Sequence, residues 1–288
     1  MESKILSFVN KKGKIVYNPT VPFEYQGKKY IGVRVESLDS ELDSQTFFAC
    51  ERDENANLWE IDYSLDSLPL QDPSYVKING KIFISGVRVQ REEGGIKWKQ
   101  EIYIGDSIKN LEYFTSGPEG MKDIHLVNLK GKVGVFTRPQ GKVWGKGKIG
   151  YLEVGNIDEL RTFSEEDWYN AKIIEGLFDG DYWGGVNQAI KLSEEEVGVI
   201  GHIAHQTINR ENELEKHYYG MAFRFNPGKW FQSKFKIIAK RNDFPPSPSK
   251  RSPELNDVIF LAGIDNTDNL YCGLSDFCNG RKKTVNLF

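Results

Sequence analysis

Cysteine is scarce in this sequence. Only Cys50, Cys272 and Cys278 occur among 288 residues. An odd number at these spacings fits neither a disulfide framework nor a zinc site. We therefore expect structural thiols and a reducing compartment.

Long apolar runs are missing too. Met1 is followed by Glu2, Ser3 and Lys4, and no apolar segment approaches the length of a secretion signal or a membrane span. The sequence thus predicts a soluble, cytoplasmic protein with no membrane partner.

An excess of positive charge is also absent, since 38 Lys and Arg stand against 41 Asp and Glu, a net charge of −3. Nucleic-acid binding normally requires a clustered basic face, so no nucleic-acid partner is expected. The Lys-rich stretch 142–148 is interpreted as a solvated loop.

Signatures of metal and nucleotide sites are lacking as well. His125 and His217 have no nearby Cys or carboxylate cluster, and the spacing of His202 and His205 places them on opposite faces of a strand. There is no Walker sequence and no G-x-S-x-G elbow. We expect no metal and no bound cofactor.

What the sequence does contain is a hairpin that opens on a carboxylate. Asp72-Pro73 predicts a turn leading into a strand, and Asn79-Gly80 predicts a two-residue turn because both residues tolerate positive φ. An Asp before Pro is common turn chemistry, so Asp72 alone is weak evidence for a site.

The hairpin pattern returns at 125–138, 188–202 and 258–274. Irregular repetition at tens of residues, with strands inside each unit, indicates a β-propeller. We predict an all-β, five-bladed β-propeller formed by one domain, residues 1–288. The last unit lacks a strand, and the N-terminal strand is expected to supply it and close the ring.

Two segments depart from the strand pattern. Residues 157–171 look partly helical, with a short capped turn at 162–168. Residues 242–253 contain four prolines and three serines and predict an exposed loop.

Polar residues recur at equivalent edges of these units. If the units surround one axis, the side chains converge on one polar funnel that suits a sugar and an anion. Arg34 and Glu36 share a strand face and could equally form a buried ion pair, and Trp183 could stack on a sugar or belong to the core. The edge positions are Arg34, Glu36, Asp72, Lys122, Asp123, Arg138, Asn187, Gln188, His202, His205, Tyr219 and Asp276.

The order of these motifs resembles the five-bladed propellers of glycoside hydrolase family 130, the mannoside phosphorylases. It is more similar still to a family catalogued as domain of unknown function 1861 and to trypanosomatid mannosyltransferase-phosphorylases. The motifs are Asn18-Pro19, Arg34-Val-Glu36, Gln71-Asp-Pro73, Lys122-Asp123, Thr137-Arg-Pro139, Gly185-Val-Asn187, His202, Tyr219-Gly-Met-Ala222 and Gly273-Leu-Ser-Asp276.

The resemblance implies an inverting enzyme in which phosphate attacks a β-mannoside, such as β-1,2-mannan, and releases α-mannose 1-phosphate. Asp72 matches the proton donor. Phosphate arrives ionised, so it needs cations for positioning in place of a second carboxylate. The implied phosphate-binding residues are Lys122, Arg138, His202 and Tyr219, and the implied sugar-binding residues are Arg34, Glu36, Asp123, Asn187 and Asp276.

Two departures bear on this assignment. The usual Glu-Asp-Pro-Arg run is Gln71-Asp-Pro-Ser74 here, which removes an acid and a cation, and the usual Tyr-His-Gly run is Gly201-His-Ile203. The resemblance also implies GDP-mannose as an alternative donor, although no guanine pocket is evident in the sequence.

Two other functions stay open. A β-mannoside hydrolase would need Glu36, Asp123 or Asp276 as base, with the two carboxyl groups about 6.5–9.5 Å apart. A non-catalytic glycan-binding propeller would use the funnel for recognition only. The oligomeric state is also open, and the expected partner is a small carbohydrate.

Overall fold

The computed structural model describes residues 3–52, 57–247 and 253–288. Within these ranges the protein is almost entirely β, as the sequence predicts. Among the described residues, helical structure is confined to Ile157–Thr162, α1 (Glu165–Tyr169), Arg241–Asp243 and Pro253–Leu255. None of the helices in these ranges has the length and apolar character needed to cross a bilayer.

The chain begins with β1 (Ser3–Val9) and then builds group 1, an antiparallel set ordered β2-β4-β5-β6, with β3 on β4. Its strands are β2 (Ile15–Pro19), β3 (Phe23–Tyr25), β4 (Lys28–Glu36), β5 (Gln45–Glu51) and β6 (Leu58–Ile61).

Groups 2 and 3 are separate four-stranded antiparallel sheets. Group 2 comprises β7 (Gln71–Ile78), β8 (Lys81–Glu92), β9 (Gly95–Gly105) and β10 (Glu112–Ser116). Group 3 comprises β11 (His125–Leu129), β12 (Lys132–Thr137), β13 (Gly150–Val154) and β14 (Lys172–Ile173). The predicted capped turn lies between β13 and β14, where Ser164 caps α1 by accepting a hydrogen bond from the backbone N–H of Asp167.

Group 4 is centred on a long hairpin, and group 5 ends the chain. Group 4 comprises β15 (Trp183–Lys191), β16 (Val197–Ile208), β17 (Leu214–Asn226), β18 (Phe231–Gln232) and β19 (Lys236–Ala239). Group 5 comprises β20 (Asp257–Ile264), β21 (Asn269–Leu274) and β22 (Cys278–Lys283).

The N-terminal strand completes group 5. β1 runs antiparallel to β22, with Ile5 opposite Gly280, and its other end pairs in parallel with β6. The predicted pairing of the first strand with the last unit is therefore confirmed.

The predicted hairpin turn after β7 is also confirmed. Ile78 pairs with Lys81, and Asn79 and Gly80 take φ of 50° and 84°. Positive φ at both central residues matches the right-handed twist of the flanking strands, and Asn-Gly adopts it at least cost.

Five hydrophobic clusters form the core of the described part, and each joins two adjacent groups. Fully burying one large apolar side chain contributes about 1.5–3 kcal/mol, so these contacts hold the groups side by side. Representative pairs are Phe48 and Ile84 (groups 1 and 2), Phe83 and Val135 (2 and 3), Phe136 and Phe225 (3 and 4), Ile200 and Leu261 (4 and 5), and Tyr271 and Trp59 (5 and 1).

The predicted exposed loop at 242–253 is wrong at Phe244, which is buried and packs against Gly280. Arg241 fixes this turn by donating to the backbone oxygens of Phe244 and Pro245. Residues 248–252 of the predicted loop lie outside the described ranges.

Candidate active site

The backbone is irregular at several residues that contribute polar side chains to the site. The β2–β4 register shifts at Asn18 and the β7–β8 register shifts at Asp72, where φ is 48° and 50°. Asp123, before β11, and Asp276, after β21, take φ of 57° and 49°. Bulges redirect side chains, and non-glycine residues at positive φ are concentrated at functional sites.

The described residues that hydrogen-bond to the Asp72 side chain all bind its Oδ1. Its Oδ1 accepts from Asn18 Nδ2 at 2.7 Å and from Arg34 Nη1 at 3.1 Å. Within the described residues Oδ2 has no hydrogen-bond partner. The side chain is 19% exposed, so Oδ2 is the atom that can carry and deliver a proton.

Arg34 joins Asp72 to a second, fully buried carboxylate. Its Nε and Nη2 each lie 2.8 Å from Oε2 of Glu36, which confirms that the two side chains share a strand face. Tyr17 donates its hydroxyl to Oε1 of Glu36 at 2.8 Å. Both oxygens of Glu36 are thus bound by protein groups.

Asp276 acts on this cluster through its charge. Burial alone would lower the pKa of Arg34, but Asp72, Tyr17 and Asp276 more than offset it, and the net shift is upward. Arg34 therefore stays a cation between carboxylates, as the low-dielectric surroundings require of a buried charge.

A second buried cluster centres on Asp123. Nη1 of Arg138 donates to its Oδ2 at 2.9 Å. Burial would raise the pKa of Asp123, but Arg138, followed by His202 and Lys122, holds it below its usual value. Asp123 is accordingly an ionised partner of Arg138.

His202 lies behind this pair as a neutral ring. Burial lowers its pKa to about 3, although the charge of Asp123 acts in the opposite direction. Nδ1 lies 2.9 Å from Oδ1 of Asn187, which can only accept, so Nδ1 carries the hydrogen and donates it. Nε2 is 3.8 Å from Asp123 Oδ2.

A cavity of 640 Å³ opens in front of the two clusters. Of the residues predicted from sequence, it brings together Asp72, Lys122, Arg138 and Trp183 as lining. Arg34, Glu36, Asp123, Asn187 and His202 lie among the side chains behind them.

Four further predicted edge positions, Gln188, His205, Tyr219 and Asp276, are not part of the lining of this cavity. Tyr219 donates its hydroxyl to Asp257 at 2.8 Å, and the neighbouring Tyr218 lines the cavity instead, because adjacent residues of a strand face opposite sides. Gln188 exchanges hydrogen bonds with the backbone of Ile264, and His205 stacks on His217 at 4.6 Å.

Another cavity, of 540 Å³, includes Phe23, Tyr75 and Asn187, but not Asp72 or the cations Lys122 and Arg138. We place the chemistry in the cavity that has both the acid and the cations. In residues 3–52, 57–247 and 253–288, no group of three or more His, Cys, Asp or Glu has an arrangement that would hold a metal ion.

Comparison with known proteins identifies the family. The family described as Protein of unknown function (DUF1861) matches residues 1–286. The chain belongs to this family. No protein with a curated description matches the sequence.

Two solved structures share 31% sequence identity with this DUF1861 member. MPT-4, a mannose phosphorylase from Leishmania mexicana solved with phosphate ion, superposes with a TM-score of 0.88, over 98% of this chain and 87% of its own. MPT-1, a GDP-Man-dependent mannosyltransferase from the same organism, gives a TM-score of 0.89, over 100% of this chain and 90% of its own.

A more distant structure shares the fold. The β-1,2-mannobiose phosphorylase of Listeria innocua has 17% identity and a TM-score of 0.64, over 98% of this chain and 90% of its own. At this identity the likeness bears on the fold alone.

Lys146 is a further cation of this cavity. The sequence predicts a solvated loop at this position, but Lys146 lines the cavity, and its Nζ lies 4.4 Å from the centre of the Trp183 ring. Its backbone oxygen accepts from Nη2 of Arg138 at 2.8 Å. Nothing in the local sequence distinguishes Lys146 from Lys142, because only the folded loop places one of them against Arg138.

Trp98 and Glu41, which the sequence did not single out, also line the cavity. Both altered residues of the Gln71-Asp-Pro-Ser74 run have local hydrogen-bond partners. Gln71 donates from Nε2 to the backbone oxygen of Glu41 at 3.0 Å, and Ser74 shares a 2.7 Å hydrogen bond with Ser85. Position 74 thus supplies no cation, and the cations that line the cavity include Lys122, Arg138 and Lys146.

Proposed function

We propose that this chain is an inverting β-mannoside phosphorylase or mannosyltransferase that forms or uses α-mannose 1-phosphate. Relatives at 31% identity that superpose over 98% and 100% of the chain are a mannose phosphorylase and a GDP-Man-dependent mannosyltransferase. GDP-mannose is the donor in the transferase form of the proposal.

The observation that carries the proposal is the pairing of one available acid with a set of cations. Oδ2 of Asp72 has no hydrogen-bond partner among the described residues. Asp72, Lys122, Arg138 and Lys146 all line the same cavity. Phosphate is already ionised, so cationic positioning replaces the second carboxylate that a hydrolase uses on water.

In the proposed reaction a phosphate oxygen attacks the anomeric carbon as the glycosidic C–O bond breaks. The electron pair of that bond goes to the aglycone oxygen, which takes the proton from Asp72 Oδ2. The products are α-mannose 1-phosphate and the shortened mannoside. The reverse reaction returns the proton to Asp72.

The buried clusters act as positioning groups in this proposal. Arg34 and Glu36, with Asp276 nearby, hold Asp72, and Asp123, Asn187 and His202 hold Arg138. Phosphate contacts are assigned to Lys122 and Arg138. Direct contacts of the remaining predicted site residues, including Tyr219, with sugar or phosphate stay predictions.

The architecture is proposed to be one five-bladed β-propeller over residues 1–288. Five hydrophobic clusters link groups 1 to 2, 2 to 3, 3 to 4, 4 to 5 and 5 back to 1, which is the pattern a closed ring produces. A cytoplasmic location stays a prediction from the sequence.

The hydrolase alternative is favoured by one observation. Glu41 is a second carboxylate in the lining of the cavity and is the remaining candidate there for a base that activates water. Of the three bases considered from sequence, Glu36 and Asp123 are bound to Arg34 and Arg138, and Asp276 is not part of the cavity lining.

The experiment is incubation of the purified protein with β-1,2-mannobiose and longer oligomers, with and without inorganic phosphate, measuring mannose 1-phosphate and free mannose separately. Phosphate-dependent mannose 1-phosphate supports the phosphorylase. Cleavage that yields free mannose and no mannose 1-phosphate, with or without phosphate, supports the hydrolase. Transfer from GDP-mannose to mannose or mannobiose in a parallel assay supports the transferase, and sugar binding without any turnover supports the glycan-binding alternative.

A further inference from the structure

The β8–β9 hairpin extends past the sheet to which it belongs. Its partners β7 and β10 pair only as far as Val87 and Glu101. Residues 88–99 nevertheless continue their register, with Val89 opposite Trp98 and Arg91 opposite Ile96. The extension therefore projects beyond group 2.

The two faces of this extension differ in character. Val89, Ile96 and Trp98 line the cavity, whereas alternation directs Arg88, Gln90, Lys97 and Lys99 to the other face. Ile96 is 51% and Trp98 39% exposed. Apolar and aromatic side chains held in water at the mouth of a polar cavity indicate a binding surface.

The extension is anchored in place. The backbone N–H of Gly120 donates to the oxygen of Trp98 at 2.7 Å, and Lys97 lies 3.2 Å from carboxylate oxygens of both Glu92 and Glu119. A fixed aromatic surface loses little conformational entropy when a ligand stacks on it.

The surface also lies beside the proposed acid. Val87 is the register partner of Gln71, which directly precedes Asp72. Across from Val89, the loop that carries Glu41 and Leu42 forms a second wall, and Leu42 is 43% exposed. A groove bounded by Leu42 on one side and by Val89, Ile96 and Trp98 on the other thus leads away from Asp72.

We infer that this groove binds the aglycone mannose units, the acceptor end of the β-mannoside, with Trp98 stacked on a sugar ring. A general acid delivers its proton to the glycosidic oxygen directly or through one bridging water, so the aglycone leaves the reaction centre near Asp72. The C–H face of a mannose ring suits an indole, and its hydroxyl groups can reach Arg91 at the rim. The inference rests on the proposed function and names the acceptor subsite of the same cavity.

The test compares Trp98→Ala with the wild type in the synthetic direction, using α-mannose 1-phosphate as donor and mannose, β-1,2-mannobiose or its trisaccharide as acceptor. We expect the acceptor KM to rise about tenfold, more for the longer acceptors, while the KM for mannose 1-phosphate stays unchanged. Trp98→Phe should restore most of the acceptor affinity. Phe231→Ala, which removes a 63% exposed aromatic side chain elsewhere, is the matched control.

An active Trp98→Ala variant with unchanged acceptor KM overturns the groove assignment and leaves the proposed function intact. If the wild type turns over none of these substrates, calorimetric titration of both proteins with β-1,2-mannobiose tests whether the groove binds sugar. Binding that Trp98→Ala weakens supports it, and equal binding to both proteins, or no binding to the wild type, overturns it.

Discussion

Asn18 donates from Nδ2 to Oδ1 of Asp72 over 2.7 Å, although 54 residues separate them in the chain. Asn18 stands at a bulge with positive φ, and its own Oδ1 lies where a Cβ on Gly273 would be, 1.6 Å from that ideal position. Gly273 of group 5 therefore leaves room for Asn18 of group 1, which in turn positions Asp72 of group 2.

Gly273→Ala should lower kcat on the order of 100-fold, because the new methyl group pushes Asn18 away from Asp72 and misplaces the acid. The φ of Gly273 lies outside the left-handed region, so backbone strain does not contribute. Kinetic assays of the folded variant would check this. Gly228→Ala is the control, since its Cβ meets only ordinary contact at 3.6 Å. Equal kcat in both variants would contradict the role of Asn18.

Asp72→Asn should reduce turnover by about 100- to 10,000-fold, because an amide cannot deliver a proton to the aglycone oxygen. The substitution is nearly isosteric, so the thermal midpoint and sugar affinity should change little. Steady-state rates and a thermal melt measure both effects. Retained turnover would remove Asp72 from the mechanism.

Glu41→Gln separates phosphorolysis from hydrolysis. If phosphate is the nucleophile, kcat with saturating phosphate should stay within about threefold of wild type, since no base is needed. If water is the nucleophile, release of free mannose should collapse by about 100-fold or more. Parallel measurement of the two products decides between these outcomes.

Lys146→Gln and Lys122→Gln should each raise the KM for phosphate about tenfold or more, because each removes a charge that lines the cavity. Lys142→Gln is the control, because Lys142 is an exposed lysine of the same loop, as Lys146 is, but does not line the cavity. Initial rates over a range of phosphate concentrations provide the measurement. A KM that responds equally to all three changes would indicate nonspecific screening of charge.

Arg138→Ala should also weaken phosphate use, but it gives a less direct result. It leaves Asp123 buried without its cation, a loss of about 3–5 kcal/mol in the free energy of unfolding. The phosphate dependence of this variant is best measured well below its melting temperature.

His202 should make the fold sensitive to mild acid. Its pKa falls from an ordinary value of 6.5 to about 3 through burial, so the unfolded chain takes up this proton as the pH drops below 6.5 and the folded protein does not until about 3. Stability is fully present above 6.5 and is lost across that window at up to about 1.4 kcal/mol per pH unit. His125, with a pKa lowered to about 4 by burial, acts in the same direction.

Urea denaturation at pH 7, 6 and 5 would test this for the wild type and His202→Gln. The variant should lose less free energy of unfolding between pH 7 and 5, although it starts from a lower value. The same pH dependence in both proteins would mean that His202 does not carry the effect.

The sequence by itself determined the local features. The sequence correctly predicts the Asn79-Gly80 turn, the shared face of Arg34 and Glu36 and a capped turn within 162–168, because turn conformation, strand alternation and capping act over a few residues. Asp72 was selected through the order of motifs along the chain, and the structure places it in the cavity lining.

Only the tertiary structure decided which side chains meet. The contact of Asn18 with Asp72 and the groove in front of Trp98 join separate groups. The folded chain also decides that Tyr218 and Lys146 line the cavity, whereas Tyr219 and Lys142 do not. Such contacts arise when apolar clusters pack neighbouring groups together, and no spacing within a single strand encodes them. Local chemistry thus determined the strands and turns, and the packing of the groups around the cavity determined the site.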